Sequence, residues 1–211
     1  GAGLREVVSY SFVGQHELDL LGLPGEGRVP VANPLSEDQN VMRTELAPGL
    51  FKAVRHNLNQ GNVSLKLFEV AKVFSADPAS ETTVRERHRL CVALHGARFG
   101  SFPWPEEKAD YSDIKGLVEH LLASLGLPEA AFAVRKDHPW LSPCVEVTLA
   151  GKPLGVLGRV LPDVADSFEA RFALWVAELD AEALMSLHSK RSVKFKGLPK
   201  FPHSWRDMTL V

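Results

Sequence analysis

The stretch that decides the fold of this 211-residue chain spans residues 33–77 and reads NPLSEDQNVMRTELAPGLFKAVRHNLNQGNVSLKLFEVAKVFSAD. A polar loop opens it, and an amphipathic helix starts near Pro48, because a proline suits the first helical position, where its missing N–H would be unpaired anyway. Apolar side chains then recur at three- and four-residue steps, at Leu46, Leu50, Phe51, Val54 and Leu58. Gly61 stands where a C-terminal cap is expected. Residues 65–74 alternate apolar with polar and predict a strand.

The rest of the chain predicts a sheet built mainly of hairpins. Ser112 is a candidate cap for the clearest helix, and Gly126 ends it. Because hairpins outnumber strand–helix–strand crossovers, we expect an α+β fold with a mainly antiparallel sheet flanked by helices. The predicted strands are 6–13, 28–32, 87–96, 132–135, 144–149, 153–160 and 171–179, and the predicted helices are 15–21, 112–125, 161–168 and 181–187.

Composition is that of an ordinary globular protein, with 45% hydrophobic and 24% charged residues. A formal net charge of -2 gives no general attraction to nucleic acid, so any RNA contact must come from a local patch. No apolar run approaches the length of a membrane span and no signal peptide is evident, so we expect a cytoplasmic protein without a membrane partner. Cys91 and Cys144 are either buried free thiols or one long-range disulfide.

The ordered patterns NPLSEDQ-x-x-MRT-x-L-x-PGL and LFE-x-x-x-VF, together with the preceding strand EVVSYSFV at 6–13, carry a family resemblance. They resemble the catalytic-like domain of the bacterial phenylalanyl-tRNA synthetase beta subunit. The likeness is densest over residues 3–77, thinner over 86–190 and sharp again at 198–211. It implies a class II aminoacyl-tRNA synthetase-like fold.

The resemblance also implies a domain division. Residues 1–196 correspond to the catalytic-like domain, and residues 197–211 to a linker and a truncated first strand of the ferredoxin-like anticodon-binding domain. We therefore expect a fragment of a longer polypeptide. By the same resemblance, the family's long dimerising helix, its editing site and its upstream magnesium ligands lie outside this chain.

Class II synthetases hold ATP with two arginines, whose planar forks bind oxyanions bidentately. By resemblance, one should end the strand of the second class II motif, here residues 67–77, and the other should open a helix in the third motif, here residues 175–184. No arginine lies between Arg171 and Arg191 to replace the second one. The degenerate motif positions are Ser75 and Ala76 in the first segment, and Glu178, Asp180 and Ala183 in the second.

These replacements predict a domain without catalytic residues. ATP brings roughly four negative charges, and each lost charge-assisted contact is worth about 1.5–3 kcal/mol before repulsion by new carboxylates is counted. The resemblance therefore implies no cofactor in this chain, with ATP and Mg²⁺ serving the holoenzyme. The histidines and cysteines show no paired metal-ligand spacing. Gly155 and Gly158 indicate a strand bulge or tight packing rather than a phosphate loop. His138 with Pro139 resembles the family's His-Pro turn, and we expect it to be structural.

A domain that keeps the class II fold without its catalytic residues is suited to form a subunit interface. The resemblance implies a phenylalanyl-tRNA synthetase alpha subunit as partner in an alpha2beta2 heterotetramer. Our hypothesis is that polar residues of the loop 33–45 and the helix 47–60 order this region and present it to the alpha subunit. The alternative is that they only fix the loop by internal hydrogen bonds. These residues are Asn33, Pro34, Arg43, Glu45, Arg55 and Asn57.

Residues 189–206 form a basic segment without acids, interleaved with three aromatic residues. Such a segment either contacts RNA through phosphate binding and base stacking or is a solvated linker. Its cations are Lys190, Arg191, Lys194, Lys196, Lys200 and Arg206. The holoenzyme would bind tRNA(Phe) in either case. The alternative to a subunit-assembly module is a free-standing class II-like protein, either an RNA-binding module or a diverged enzyme.

Overall fold

The computed structural model of the chain describes residues 2–98, 107–170 and 173–189. The strands of these ranges are β1 (Arg5–Glu6), β2 (Phe12–Val13), β3 (Val41–Met42), β4 (Leu65–Ala76), β5 (Val84–His95), β6 (Ala131–Arg135), β7 (Leu141–Leu149), β8 (Lys152–Val160) and β9 (Leu174–Asp180). The α-helices are α1 (Gln15–Leu20), α2 (Ala47–Asn59), α3 (Tyr111–Ser124), α4 (Pro162–Ser167) and α5 (Ala181–Ser189), and a 3₁₀ turn spans Glu37–Gln39.

One sheet of seven strands organises the fold, in the order β1-β4-β5-β9-β8-β7-β6. Its neighbouring strands pair antiparallel except β1 and β4, which are parallel. A second, two-stranded sheet joins β2 to β3. The predicted mainly antiparallel α+β architecture is therefore confirmed.

Helices cover the two faces of the large sheet. On one face, α2 buries Leu50, Phe51 and Val54, and the ring of Phe51 meets those of Trp140 and Phe168 edge-on at 5.8 and 5.2 Å between centroids. On the other face lie the apolar stripe of α3 and the first turn of α5. The periodicity that predicted α2 and α3 is thus the burial pattern of each helix.

Three local predictions were wrong. The predicted strand 6–13 is divided between the two sheets, since its start pairs with β4 and its end with β3. The predicted strand 28–32 shortens to a single bridge, Pro30 to Val41. Helix α3 is capped by Asp110, whose Oδ1 accepts N–H groups of Ser112 at 2.7 Å and Asp113 at 3.3 Å, because a carboxylate one position before the helix reaches its orphan donors.

Close approach of neighbouring strands explains two glycines of β8. A Cβ at Gly155 would lie 2.1 Å from the carbonyl oxygen of Glu178 on β9, and one at Gly158 would lie 2.2 Å from the carbonyl oxygen of Pro143 on β7. Both obstacles are backbone atoms held in the sheet. The structure therefore agrees with tight packing as the reason for these glycines.

We predict that Gly155→Ala lowers the free energy of unfolding by about 1–3 kcal/mol, because strands β8 and β9 must separate to admit the methyl group. The matched control is Gly116→Ala on α3, where an added Cβ meets nothing within 4 Å and helix propensity should add up to about 1 kcal/mol. Urea denaturation of both variants measures the difference. Equal stabilities would contradict the packing explanation.

Candidate functional site

A polar cleft of about 540 Å³ lies on the sheet face that carries α2. Five neighbouring strands form its floor, and the segments around residues 22–24 and 138–140 border it. Its charged lining residues are Arg87 and Arg89 on β5, Glu178 and Asp180 on β9, Glu146 on β7, Arg135 on β6, and Glu45 just before α2. We refer to this cavity as the polar cleft.

Glu178 joins the middle of the sheet to the start of α2. Only 4% of its surface is exposed, and its carboxylate accepts the backbone N–H groups of Leu46 and Ala47, each at 3.2 Å. The first N–H groups of a helix have no partner within the helix and carry its positive end. The carboxylate that replaces an expected glycine thus already occupies the place where this helix would receive an external anion.

Glu45 is the second carboxyl of this region. Its Oε2 accepts the indole N–H of Trp140 at 3.1 Å. Burial and the neighbouring Glu178 raise the pKa of Glu45 to about 8, while Arg89 acts in the opposite direction. Burial also raises the pKa of Glu178, opposed by Arg89 and by the two helix N–H groups. Glu45 is therefore mostly protonated at neutral pH.

The other degenerate motif positions separate in space. Asp180 lines the polar cleft and caps α5, since its Oδ1 accepts the N–H of Ala183 at 2.8 Å. Ala183 itself borders a different, smaller cavity. Ser75 and Ala76 end β4 and pair with residues 84–85 of β5, outside the cleft lining. The structure brings together only the two acids, Glu178 and Asp180.

The polar cleft contains three arginines that sequence reasoning missed. Arg87, Arg89 and Arg135 all line the cavity, and none of them stands at a motif position where the resemblance places an arginine. A signal was present in the sequence: Arg87 and Arg89 are two residues apart on β5 and therefore share one face, opposite the face of Leu90 and Val92. The class II motif positions do not include these three arginines, so the motifs alone do not predict them.

Arg43 is buried in an internal ion pair. Its Nη1 donates to Oε1 of Glu69 at 2.8 Å and to Oγ of Ser9 at 2.9 Å, and its Nε donates to the carbonyl of Lys72 at 2.9 Å. Ser9 in turn donates from Oγ to Oε2 of Glu69 at 2.7 Å. Arg43 therefore ties the segment around Ser9 to β4 from inside the protein.

The other residues of the loop-ordering hypothesis differ in their surroundings. Asn33 and Pro34 are exposed, and Arg55 is half-buried on α2. Asn57 donates to the carbonyl of Ala53 at 2.9 Å, which is an internal contact of the helix. Arg43, Glu45 and Asn57 thus make internal hydrogen bonds, and a role of this set at an interface stays a prediction.

The family described as phenylalanyl tRNA synthetase beta chain CLM domain matches residues 1–181. The chain belongs to this family. The phenylalanine–tRNA ligase beta subunits of Nitratidesulfovibrio vulgaris and Oleidesulfovibrio alaskensis are 51% and 50% identical to it, over 100% of this chain and 27% and 26% of theirs. The chain therefore spans about a quarter of the length of these relatives.

Solved structures show the same fold without close sequence similarity. The crystal structure of pyrrolysyl-tRNA synthetase from Desulfitobacterium hafniense has a TM-score of 0.68 and 13% identity, covering 89% of this chain and 64% of that one. A second structure of that enzyme, also with a TM-score of 0.68, is 14% identical. The fold is that of class II aminoacyl-tRNA synthetases, as the sequence predicted.

The proposed RNA-contact residues lie outside the described ranges, as do residues 197–211. These contact residues are Lys190, Arg191, Lys194, Lys196, Lys200 and Arg206. Within the described ranges, Cys91 and Cys144 are buried free thiols, and no cluster of three potential metal ligands occurs. His138 borders the polar cleft, where burial and Arg135 lower its pKa to about 4. No helix of the described residues is long and apolar enough to cross a membrane.

We predict that Glu45→Gln flattens the pH dependence of stability. The pKa of Glu45 is raised from 4.5 to about 8, so the folded state holds an extra proton between these values. The stabilisation contributed by protonated Glu45 is therefore complete below pH 4.5. It is lost as the pH rises from 4.5 toward 8, by up to about 1.4 kcal/mol per pH unit. Urea unfolding from pH 5 to 8.5 measures the slope, with Glu129→Gln on an exposed loop as control. An unchanged slope in Glu45→Gln would contradict the assignment.

Proposed function

We propose that this chain is a catalytically silent class II module of a phenylalanine–tRNA ligase beta subunit. It serves subunit assembly with an alpha subunit and positioning for the phenylalanylation of tRNA(Phe). The observation that carries the proposal is Glu178, a buried carboxylate bonded to the start of α2, on the sheet face where class II chemistry would take place. A carboxylate at this position stabilises the start of the helix and repels the phosphates of a nucleotide.

Electrostatics supports the absence of adenylation. The two motif positions that should carry arginine hold Ser75 and Ala183, and neither residue lines the polar cleft. The three arginines that do line it share the cavity with four acidic residues. A triphosphate would therefore meet Glu146, Glu178 and Asp180 as well as the cations. Like charges within a few ångströms disfavour such binding.

An exposed apolar surface supports the assembly role. Val8, Tyr10 and Phe12 occupy alternate positions and are 89%, 77% and 40% exposed, and Leu35 in the loop 33–45 is 94% exposed. Phe12 pairs with Met42, so this segment adjoins the end of the loop 33–42. Clustered exposed apolar side chains mark interaction sites. We name these four residues the apolar edge and assign the alpha subunit to it.

The remaining parts of the proposal concern the whole enzyme. ATP and Mg²⁺ act in the holoenzyme, an alpha2beta2 heterotetramer in the cytoplasm that binds tRNA(Phe). The relatives named as beta subunits support this view over a free-standing class II-like RNA-binding module or diverged enzyme. The basic segment 189–206 remains the candidate for direct RNA contact. A tRNA affinity whose salt dependence persists after its deletion would exclude that contact.

We predict that the isolated chain does not catalyse phenylalanine-dependent ATP–pyrophosphate exchange. The physical reason is the loss of both phosphate-binding arginines, each worth about 1.5–3 kcal/mol of binding. Mixing the chain with a catalytic alpha subunit provides the positive control. Exchange above background by the chain alone, abolished by Arg89→Gln, would overturn catalytic silence.

We predict that Tyr10→Asp and Leu35→Asp prevent co-purification with the alpha subunit while the chain stays folded, because both side chains are exposed. Val134→Asp is the matched control, since Val134 is 78% exposed on β6, at the opposite edge of the sheet. Arg55→Glu tests the polar part of the hypothesis in the same assay. Arg43→Glu would not, because breaking a buried ion pair costs about 3–5 kcal/mol and disrupts the fold itself.

Unchanged assembly of Tyr10→Asp and Leu35→Asp, with unchanged circular dichroism, would contradict the assignment of the apolar edge. Loss of assembly in Val134→Asp alone would move the interface to the other edge of the sheet. Neither result bears on whether the chain is catalytically silent, which the ATP–pyrophosphate exchange assay tests separately.

A further inference from the structure

We propose that the polar cleft binds a small oxyanion, of the phosphate or carboxylate class, through Arg87 and Arg89, which lie two residues apart on one face of β5. This site uses none of the degenerate motif positions as cations. It is separate from the assembly role, because the apolar edge contributes no lining residue to the cleft.

The first support is a surplus of hydrogen-bond donors. Across the described ranges, Arg28, Arg43 and Arg98 each form ion pairs with acidic side chains. Among the described residues, the side chains of the three cleft arginines form neither an ion pair nor a hydrogen bond, although Arg87 is near enough to Glu182 to lower the pKa of that carboxyl. Each guanidinium carries a planar fork of N–H donors that matches a carboxylate or phosphate. The cavity therefore presents unused donors suited to an oxyanion.

The second support is one donor that is already removed from solvent. The Nε atom of Arg89 is buried and has no hydrogen-bond partner among the residues that the structure describes. Buried polar atoms are nearly always paired, so an unpaired one calls for an explanation. Arg89 is near enough to Glu45 and Glu178 to lower the pKa of both, but it does not form an ion pair with either. An anion at this position would satisfy the free donor.

The third support is that acceptors of the neighbouring acids are engaged. Glu178 accepts two helix N–H groups, Asp180 accepts that of Ala183, and Glu45 accepts the indole of Trp140. Protonation of Glu45 at neutral pH removes one negative charge. His138 is neutral there because its pKa is lowered to about 4. The free donors of the cleft therefore belong to cations. Of the acids nearest to Arg89, Glu178 already accepts two helix N–H groups and Glu45 is neutral.

The arrangement also limits the size of the ligand. Arg87 and Arg89 project from the same face of β5, and Arg135 stands on β6, at the other end of the five-strand floor. The cavity of about 540 Å³ accommodates a small anion with part of its hydration shell. Glu146, Glu178 and Asp180 exclude a highly charged polyphosphate by repulsion. A compact mono- or dianion therefore fits better than a nucleotide.

The test is an NMR titration of the 211-residue chain with inorganic phosphate and, in a second arm, succinate. Ionic strength is held constant with chloride. The expected result is saturable movement of the arginine Nε–H signals of the cleft, with dissociation constants in the millimolar range. The arm with the tighter binding identifies the phosphate or the carboxylate class. Binding should weaken from pH 6.5 to pH 9, because ionised Glu45 repels the anion.

Three variants complete the test. Arg87→Gln should weaken binding about tenfold, as the loss of one charge-assisted contact implies, whereas Arg135→Gln, on β6 at the other end of the floor, should weaken it less. Both positions are at least partly exposed, so the variants keep the fold. Arg159→Gln on β8 is the matched control, since Arg159 is exposed and lies outside the cleft lining. Equal affinities in all three variants, or linear and unsaturated shifts with both anions, would overturn the proposal.

Discussion

The contact between Glu178 and the first N–H groups of α2 is the constraint on which the rest of this structure depends. It joins residues 131 and 132 positions apart, and it holds the middle of the sheet against the helix that fills one core. Each partner supplies the hydrogen-bonding groups that the other lacks. The helix start needs acceptors, and a carboxylate that is only 4% exposed needs donors.

The same contact supports the proposal that this chain keeps a synthetase fold without synthetase chemistry. The place that would favour a ligand anion is filled by a side chain of the protein, and the nearby Glu45 avoids a second charge by keeping its proton. A second internal pair, Arg43 with Glu69, ties the segment before α1 to β4. Internal charge pairs thus stabilise this sheet face, and the apolar edge is the separate surface that we propose for a partner.

Sequence patterns predicted elements better than the site. The periodicity of α2 and the alternation of β4 depend on neighbouring residues, and both elements appeared where expected. The cap at Asp110 was missed because Ser112 and Asp110 offer similar side-chain acceptors, and only the chain path decides between them. Arg87 and Arg89 share one face of β5, but no motif position points to them, and Arg135 joins the same cleft only because strands far apart in sequence lie in one sheet. The burial of Arg43 likewise depends on Ser9 and Glu69, whose proximity no local pattern encodes.

The most direct measurement of this account is the free energy of unfolding of Glu178→Ala at pH 6, where protonation of Glu45 removes its repulsion of Glu178. Loss of two charge-assisted hydrogen bonds, each worth about 1.5–3 kcal/mol, predicts destabilisation of roughly 3 kcal/mol or more. Glu146→Ala, on the same face but without such bonds, should lose less than about 1 kcal/mol. Equal and small losses in both variants would contradict the view that Glu178 anchors α2 to the sheet.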